Sequence, residues 1–182
     1  MSDSLGASAT GAWARRGAEL DRPVQQSVLD RLVDFEPGTT SERLPTREES
    51  LAALKTSLRR DLEWLLNTRR EMVDIPESLE ETRRSALRYG LPDVTSLPRN
   101  GADGHARLAR AVEEAITLFE PRLMRVKVTL ATIAAEGASR SELRFIVEGV
   151  LRLDPSPERV VFDTVLELAK GEYQVVGEGL ET

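Results

Sequence analysis

Residues 119–123 of this sequence, FEPRL, place a carboxylate and a guanidinium on either side of a proline. Pro121 disfavours helical geometry at Glu120, so a helix that reaches this point is expected to end there. Arg122 offers several hydrogen-bond donors in a planar fork that fits carboxylates and carbonyl groups. Two opposite charges at a stiff bend either brace the bend internally or contact another molecule. The residues alone leave both interpretations open.

Enzymatic chemistry has little support elsewhere in the sequence. The one histidine, His105, has no cysteine to share a metal with, and residues 101–104 lack the spacing of a phosphate-binding loop. Glu120 lies at a bend and is the candidate for a general acid, but glycosidic chemistry requires a second carboxylate across a cleft. The sequence names no such second group. We therefore predict no catalytic, cofactor-binding or metal-binding residues.

The composition limits the class of protein. A chain of 182 residues with 40% hydrophobic residues can bury one full-sized core. It contains no cysteine, which excludes disulfides, and no apolar run of about 18 residues that could span a membrane. The net charge of -6 and the low aromatic content argue against nucleic-acid binding, so we interpret Arg69-Arg70 and Arg83-Arg84 as solvated helix faces. The N-terminus lacks a secretion signal, which favours the cytoplasm.

The order of the predicted elements indicates the architecture. Residues 1–26 are rich in Ser, Ala and Gly and are predicted to be a flexible tail, followed by one domain over 27–176 and a short tail over 177–182. Within the domain, helical periodicity comes first and strand periodicity follows, which is typical of an α+β fold. Three to four strands joined by short turns predict an antiparallel β-meander with the N-terminal helices packed on it.

Two predicted helix starts have capping-box spacing, in which a hydroxyl and a carboxylate satisfy free backbone N–H groups. These are Thr46 with Glu49, before a leucine stripe that Trp64 widens, and Ser78 with Glu81. The predicted helices cover residues 47–67 and 79–89 and a third segment that ends at Glu120, after a long loop over 91–104.

Alternating apolar residues predict the strands. In the first strand, one face is expected to hold Met124, Val126, Val128 and Leu130. The predicted strands cover residues 123–134, 142–153, 160–168 and 173–176. The segment 119–123 is therefore the joint between the last helix and the sheet.

Five short stretches form a specific set: SVLDRL at 27–32, RDLEWLLNTRR at 60–70, YGLPD at 89–93, FEPRL at 119–123 and FDTVL at 162–166. In this order and at these separations, the set resembles the TssE family, which are baseplate subunits of bacterial type VI secretion systems. TssE proteins lie within the wider family of contractile-phage baseplate wedge proteins, sometimes labelled lysozyme-like.

The resemblance implies a non-enzymatic structural protein whose α+β domain is similar to the inner domain of the contractile sheath subunit. Its implied role is to link wedge proteins to the first sheath ring and to nucleate sheath assembly. The implied partners are the wedge proteins TssF, TssG and TssK and the sheath subunits TssB and TssC, with no cofactor, nucleic acid, small-molecule substrate or membrane insertion. The implied location is the bacterial cytoplasm, at the inner face of the cell envelope.

In that family the Glu-Pro-Arg motif is associated with docking onto neighbouring wedge proteins. It carries over to Glu120, Pro121 and Arg122 without departure, which makes these the predicted partner-binding residues. We also expect the exposed edge of the last strand, around residues 173–176, to accept an added strand from a sheath arm.

Two other functions stay open on the sequence. The first is a peptidoglycan hydrolase that uses Glu120 as its acid, although the residues supply no pair of acid and nucleophile. The second is a regulatory adaptor of the same fold that binds a soluble protein without joining a large assembly.

Overall fold

A computed structural model describes residues 22–34, 37–38, 43–93, 102–131, 142–168 and 170–178. The chain divides into two compact units. The first contains the described residues through Leu58 together with Leu153–Ser156, and the second contains Arg59–Arg152 and the described residues from Pro157 onward. The division into tails and one domain over 27–176 stays a prediction, and the last strand continues to residue 178.

Helices precede strands along the chain, and the strands form one four-stranded antiparallel sheet in the order β1-β2-β3-β4. This arrangement confirms the predicted α+β class. The helices are α1 Val28–Leu32, α2 Arg47–Asn67, α3 Glu80–Arg84, a 3₁₀ helix Ala86–Arg88 and α4 Ala102–Phe119. The strands are β1 Leu123–Leu130, β2 Glu142–Leu151, β3 Glu158–Glu167 and β4 Glu172–Glu178.

In the first unit, α2 begins with the predicted capping box. The Glu49 carboxylate accepts a hydrogen bond from the Thr46 backbone N–H at 2.8 Å, and the Thr46 hydroxyl accepts one from the Glu49 N–H at 3.2 Å. A hydrogen bond from Arg43, followed by the bond from the Thr46 backbone, lowers the pKa of Glu49 to about 2. The predicted helix bounds of 47–67 are confirmed at both ends.

The predicted second helix over 79–89 is wrong in extent and in its cap. Helix α3 covers only residues 80–84, and its N-cap is Leu79, which has no side chain able to accept a hydrogen bond. Ser85 then ends it: the hydroxyl donates to the Thr82 carbonyl at 2.8 Å and accepts from the Leu87 N–H at 3.3 Å. A serine that bonds to nearby backbone in this way competes with helix continuation, and a separate 3₁₀ turn follows.

The second unit has its core between α4, the C-terminal half of α2 and one face of the sheet. Helix α4 packs along β1. The buried faces of β2 and β3 agree with the predicted alternation. The fully or nearly fully buried side chains of this core include Leu62, Leu65, Val112, Ile116, Phe145, Val147, Phe162 and Leu166.

Strand β1 contains a β-bulge that the alternation pattern did not show. Met124 pairs with Val150 and Lys127 pairs with Glu148, so two residues of β1 face one of β2. Arg125, inside the bulge, has a φ of 53°. Because the bulge shifts the alternation, Leu123 and Val128 are both buried, although they are five positions apart. The predicted continuation of this strand to residue 134 lies outside the described residues.

A parallel bridge joins the end of α2 to the segment before residue 92. The Leu91 N–H donates to the Thr68 carbonyl at 2.9 Å, and the Arg70 N–H donates to the Leu91 carbonyl at 2.8 Å. Gly90 has a φ of 99°, and a Cβ placed there would lie 2.3 Å from the Thr68 oxygen. Only glycine fits this close approach of the two backbones.

We expect Gly90→Ala to lower the free energy of unfolding by more than Gly171→Ala, measured by urea denaturation. Gly171 also has a positive φ, 71°, but no atom lies within 4 Å of an added Cβ. The control should therefore cost only the backbone strain of about 1–2 kcal/mol, while Gly90→Ala adds the displacement of a carbonyl group. Equal losses in the free energy of unfolding would contradict this prediction, because they would show that moving the Thr68 carbonyl has no energetic cost.

Candidate functional site

The Glu-Pro-Arg segment forms the joint between α4 and β1, as the sequence predicts. The last helical hydrogen bond runs from the Glu120 N–H to the Ile116 carbonyl at 2.9 Å. The Glu120 carbonyl then accepts from the Leu123 N–H at 3.1 Å, which closes a tight turn with Pro121 exposed at its corner. Helix and strand therefore meet within three residues.

Glu120 and Arg122 form an ion pair inside this turn. The Arg122 Nε donates to Glu120 Oε1 at 2.6 Å, and Nη2 donates to Oε2 at 2.5 Å. The Arg122 backbone N–H also donates to Oε1 at 3.2 Å. Glu120 is 5% exposed, whereas the Arg122 side chain is 23% exposed. The two-point contact fixes the direction of the guanidinium relative to the turn.

Asp61 of α2 is a third member of the site, and its Oδ2 accepts from the Arg122 Nη2 at 2.6 Å. Its other oxygen, Oδ1, accepts from Nε and Nη2 of Arg60 at 3.0 and 2.8 Å. We call the row Glu120, Arg122, Asp61 and Arg60 the charge ladder. It connects α2 to the joint through alternating negative and positive groups.

The ladder reaches the surface at Trp64. The guanidinium carbon of Arg60 lies 4.9 Å from the centroid of the Trp64 ring, a cation–π geometry. Trp64 is 53% exposed, so the prediction that it widens the apolar stripe of α2 is wrong. Its position one turn after Arg60 instead places its ring beside the exposed end of the ladder.

The two carboxylates stabilise the charged form of Arg122. Burial acts against the charge of Arg122, but hydrogen bonds and attraction from Glu120, and then from Asp61, outweigh it and raise the pKa of Arg122. Burial, followed by the negative charges of Asp61 and Glu120, raises the pKa of Tyr89. The Tyr89 ring packs edge-on against Phe119, with the two ring centroids 5.2 Å apart. Arg122 Nη1 is buried and has no hydrogen-bond partner among the described residues.

Other candidate groups do not join this site. His105 lies within α4, not before its start, and is half-buried. Among the described residues, no group of three or more histidine and acidic side chains is placed to hold a metal ion. None of the described helices is both long enough and apolar enough to cross a membrane.

The edge of β4 is not free in the way the sequence suggested. The Tyr173 N–H donates to the Asn67 side-chain oxygen at 2.8 Å, and the Tyr173 carbonyl accepts from the Asn67 amide nitrogen at 2.9 Å. The Val175 N–H donates to Glu63 at 3.1 Å. Side chains of α2 therefore occupy the position of a neighbouring strand around residues 173–176, and the prediction that this edge is exposed is wrong.

The sequence matches a known protein family over the region that contains this site. The family described as baseplate wedge protein gp25 matches residues 52–156, more than half of the chain. The chain belongs to the gp25 baseplate wedge family. The matched region contains the whole charge ladder, and it confirms the predicted resemblance. No curated protein matches the sequence. Membership supports a structural role in the baseplate of a contractile machine, in contact with other baseplate or sheath proteins.

We expect Glu120→Ala to lower the free energy of unfolding by about 3–5 kcal/mol, because a half-buried guanidinium loses its main partner. The matched control is Glu80→Ala, which removes an exposed pair with Arg84 at 2.8 Å and should cost less than about 1 kcal/mol. Urea denaturation followed by circular dichroism measures both. A loss for Glu120→Ala as small as the control's would contradict the bracing role.

Proposed function

We propose that this protein is the TssE subunit of a type VI secretion system, a non-enzymatic baseplate component that links wedge proteins to the first sheath ring and nucleates the sheath. The match to the gp25 wedge family over residues 52–156 supports the proposal most directly. The proposed partners are TssF, TssG and TssK on the wedge side and TssB and TssC on the sheath side. The proposed place of assembly is the cytoplasmic face of the inner envelope.

We assign Glu120, Pro121 and Arg122 to partner binding, with different parts for each residue. Glu120 is 5% exposed, so it contributes by holding Arg122 in place. Pro121 is exposed and the Arg122 side chain is 23% exposed, so both can contact a partner directly. A docking residue that is fixed before binding loses little conformational entropy when the partner arrives.

The exposed end of the charge ladder extends this docking surface. Tryptophan and arginine are the side chains that most often carry binding energy at protein interfaces. Trp64 and Arg60 already stack on each other, and Asp61 fixes Arg60 from the other side. The proposed docking surface for wedge proteins therefore consists of Pro121, Arg122, Arg60 and Trp64.

Trp64→Ala is expected to reduce co-purification with co-expressed TssF and TssG at least tenfold while destabilising the protein less than Glu120→Ala does. The Trp64 ring is half exposed in the free protein, so its burial should contribute more to the free energy of binding than to the free energy of folding. Val176→Ala, an apolar truncation at 55% exposure on β4, serves as the control and should bind like wild type.

The same experiment separates the assembly role from the adaptor alternative. Wild-type protein should form a stoichiometric complex with the wedge proteins, whereas a regulatory adaptor would not. Failure of the wild type to bind TssF and TssG would contradict the type VI assignment. Normal binding by Trp64→Ala would contradict only the proposed docking surface.

The geometry does not favour a hydrolase. Both carboxylate oxygens of Glu120 accept hydrogen bonds from Arg122, and Asp61 binds the same guanidinium. A general acid needs a proton to donate and access to the glycosidic oxygen, and a buried carboxylate held at both oxygens by arginine is poorly placed for either.

We expect no release of reducing sugar when purified protein is incubated with peptidoglycan, for the wild type and for Glu120→Gln alike. Hen egg-white lysozyme under the same conditions is the positive control. Turnover by the wild type that Glu120→Gln abolishes would overturn the non-enzymatic assignment.

A further inference from the structure

A second feature of the same unit shares no residue with the charge ladder. A cavity of about 450 Å³ opens between the segment after α2, helix α3 and the 3₁₀ helix. Three arginines line it: Arg70, Arg83 and Arg88. We call it the arginine cavity. The sequence alone assigned the cationic pairs at 69–70 and 83–84 to solvated helix faces, and the fold instead brings one arginine of each pair to this cavity.

The lining of the arginine cavity holds three arginines and two acidic residues, Glu71 and Asp74. Within the described part of the chain, Arg70 and Arg83 have no ion-pair partner. Arg88 reaches Glu114 at 3.4 Å, but the Glu114 side chain is 63% exposed, and pairs of this kind contribute little. Arg70 and Arg88 are both half-buried. Burial, and then the positive charge of Arg88, lowers the pKa of Arg70, and attraction to Glu114 offsets this only in part. An anion bound beside Arg70 and Arg88 would offset it further.

The rim of the cavity is apolar and also carries acidic groups. Met72 is 91% exposed, and Val73 and Leu87 are each more than 40% exposed. Large apolar side chains clustered at an opening are typical of a contact surface. Glu71 and Asp74 are exposed on the same rim. A long polyanion such as nucleic acid would be repelled there, whereas one carboxylate beside an apolar side chain would not.

We propose that the arginine cavity binds an acidic peptide segment of a partner protein. A carboxylate of that segment lies between Arg70 and Arg88, with Arg83 at the opening, and a neighbouring apolar side chain packs on Met72 and Leu87. Arg70 and Arg83 have no ion-pair partner among the described residues, and Arg88 has only a long contact with exposed Glu114, so the donors of these arginines complement a carboxylate. The site is separate from the proposed docking surface and does not depend on the type VI assignment.

The test is a titration of ¹⁵N-labelled protein with a capped peptide that contains a single Glu-Leu-Gly unit, followed through amide chemical shifts. We expect saturable shifts at residues 70–75 and 83–88. Arg70→Gln/Arg88→Gln should raise the Kd at least tenfold, and Arg83→Gln should raise it severalfold. Arg107→Gln, an exposed arginine of α4 outside the cavity, should leave the Kd unchanged. Spectra of each variant without peptide confirm that it is folded.

Control ligands distinguish an acidic peptide from other molecules that could bind the arginine cavity. A Gln-Leu-Gly peptide and a Glu-Ser-Gly peptide should each bind at least tenfold more weakly. Equal binding of either peptide would overturn the proposal, and so would an absence of shifts at 70–75. It would also be overturned if oligo-dT bound these residues more tightly than the peptide. Concentration-dependent self-association that protects the same residues would instead assign the cavity to a second copy of this chain.

Discussion

The site depends on one guanidinium that bonds to two carboxylates from distant parts of the chain. Arg122 bonds to Glu120, two residues earlier, and to Asp61, 61 positions away on α2. The first bond sets the angle at which β1 leaves α4, and the second holds α2 beside that joint. Because Glu120 is buried, loss of the Arg122 guanidinium would leave its carboxylate unpaired where water cannot solvate it well. This is why a bend of three residues can determine the position of a helix that precedes it by more than fifty.

Bracing and docking need not be rival interpretations of the Glu-Pro-Arg motif. The most buried member, Glu120, has no direct access to a partner, whereas Pro121 and Trp64 lie at the surface. The charge ladder joins the buried and exposed ends, so a change at its buried end would disturb the exposed end as well. The proposed docking surface would thus be fixed before a partner binds, which lowers the conformational entropy lost on binding.

Much of this architecture was readable from the sequence, since local signals specify it. Leucine periodicity and the Thr46 capping box gave both ends of α2, and Pro121 gave the joint. The sequence-based predictions fail where side-chain hydrogen bonds compete with a local helix pattern, or where a residue contacts one that is distant in the sequence. In the sequence, Ser85 looks like any serine inside a helix. In the structure its hydroxyl bonds to the backbone of Thr82 and Leu87, and α3 ends there. Asp61 looks like any solvated helix carboxylate, and no spacing rule links it to Arg122.

The hydrogen bonds between helix side chains and the edge strands of the sheet are also not predictable from sequence patterns. Glu63 and Asn67 of α2 bond to the backbone of β4, and Glu113 of α4 accepts from the Val128 N–H of β1 at 2.9 Å. Such side chains occupy the positions of missing strands and so protect the edges from uncontrolled pairing. An incoming strand at β4 would have to replace the bonds of Asn67 and Glu63, which lie on the same helix as Asp61 and Trp64. One helix therefore both closes the β4 edge and carries the charge ladder to the surface at Trp64, so a displacement of α2 would disturb both features.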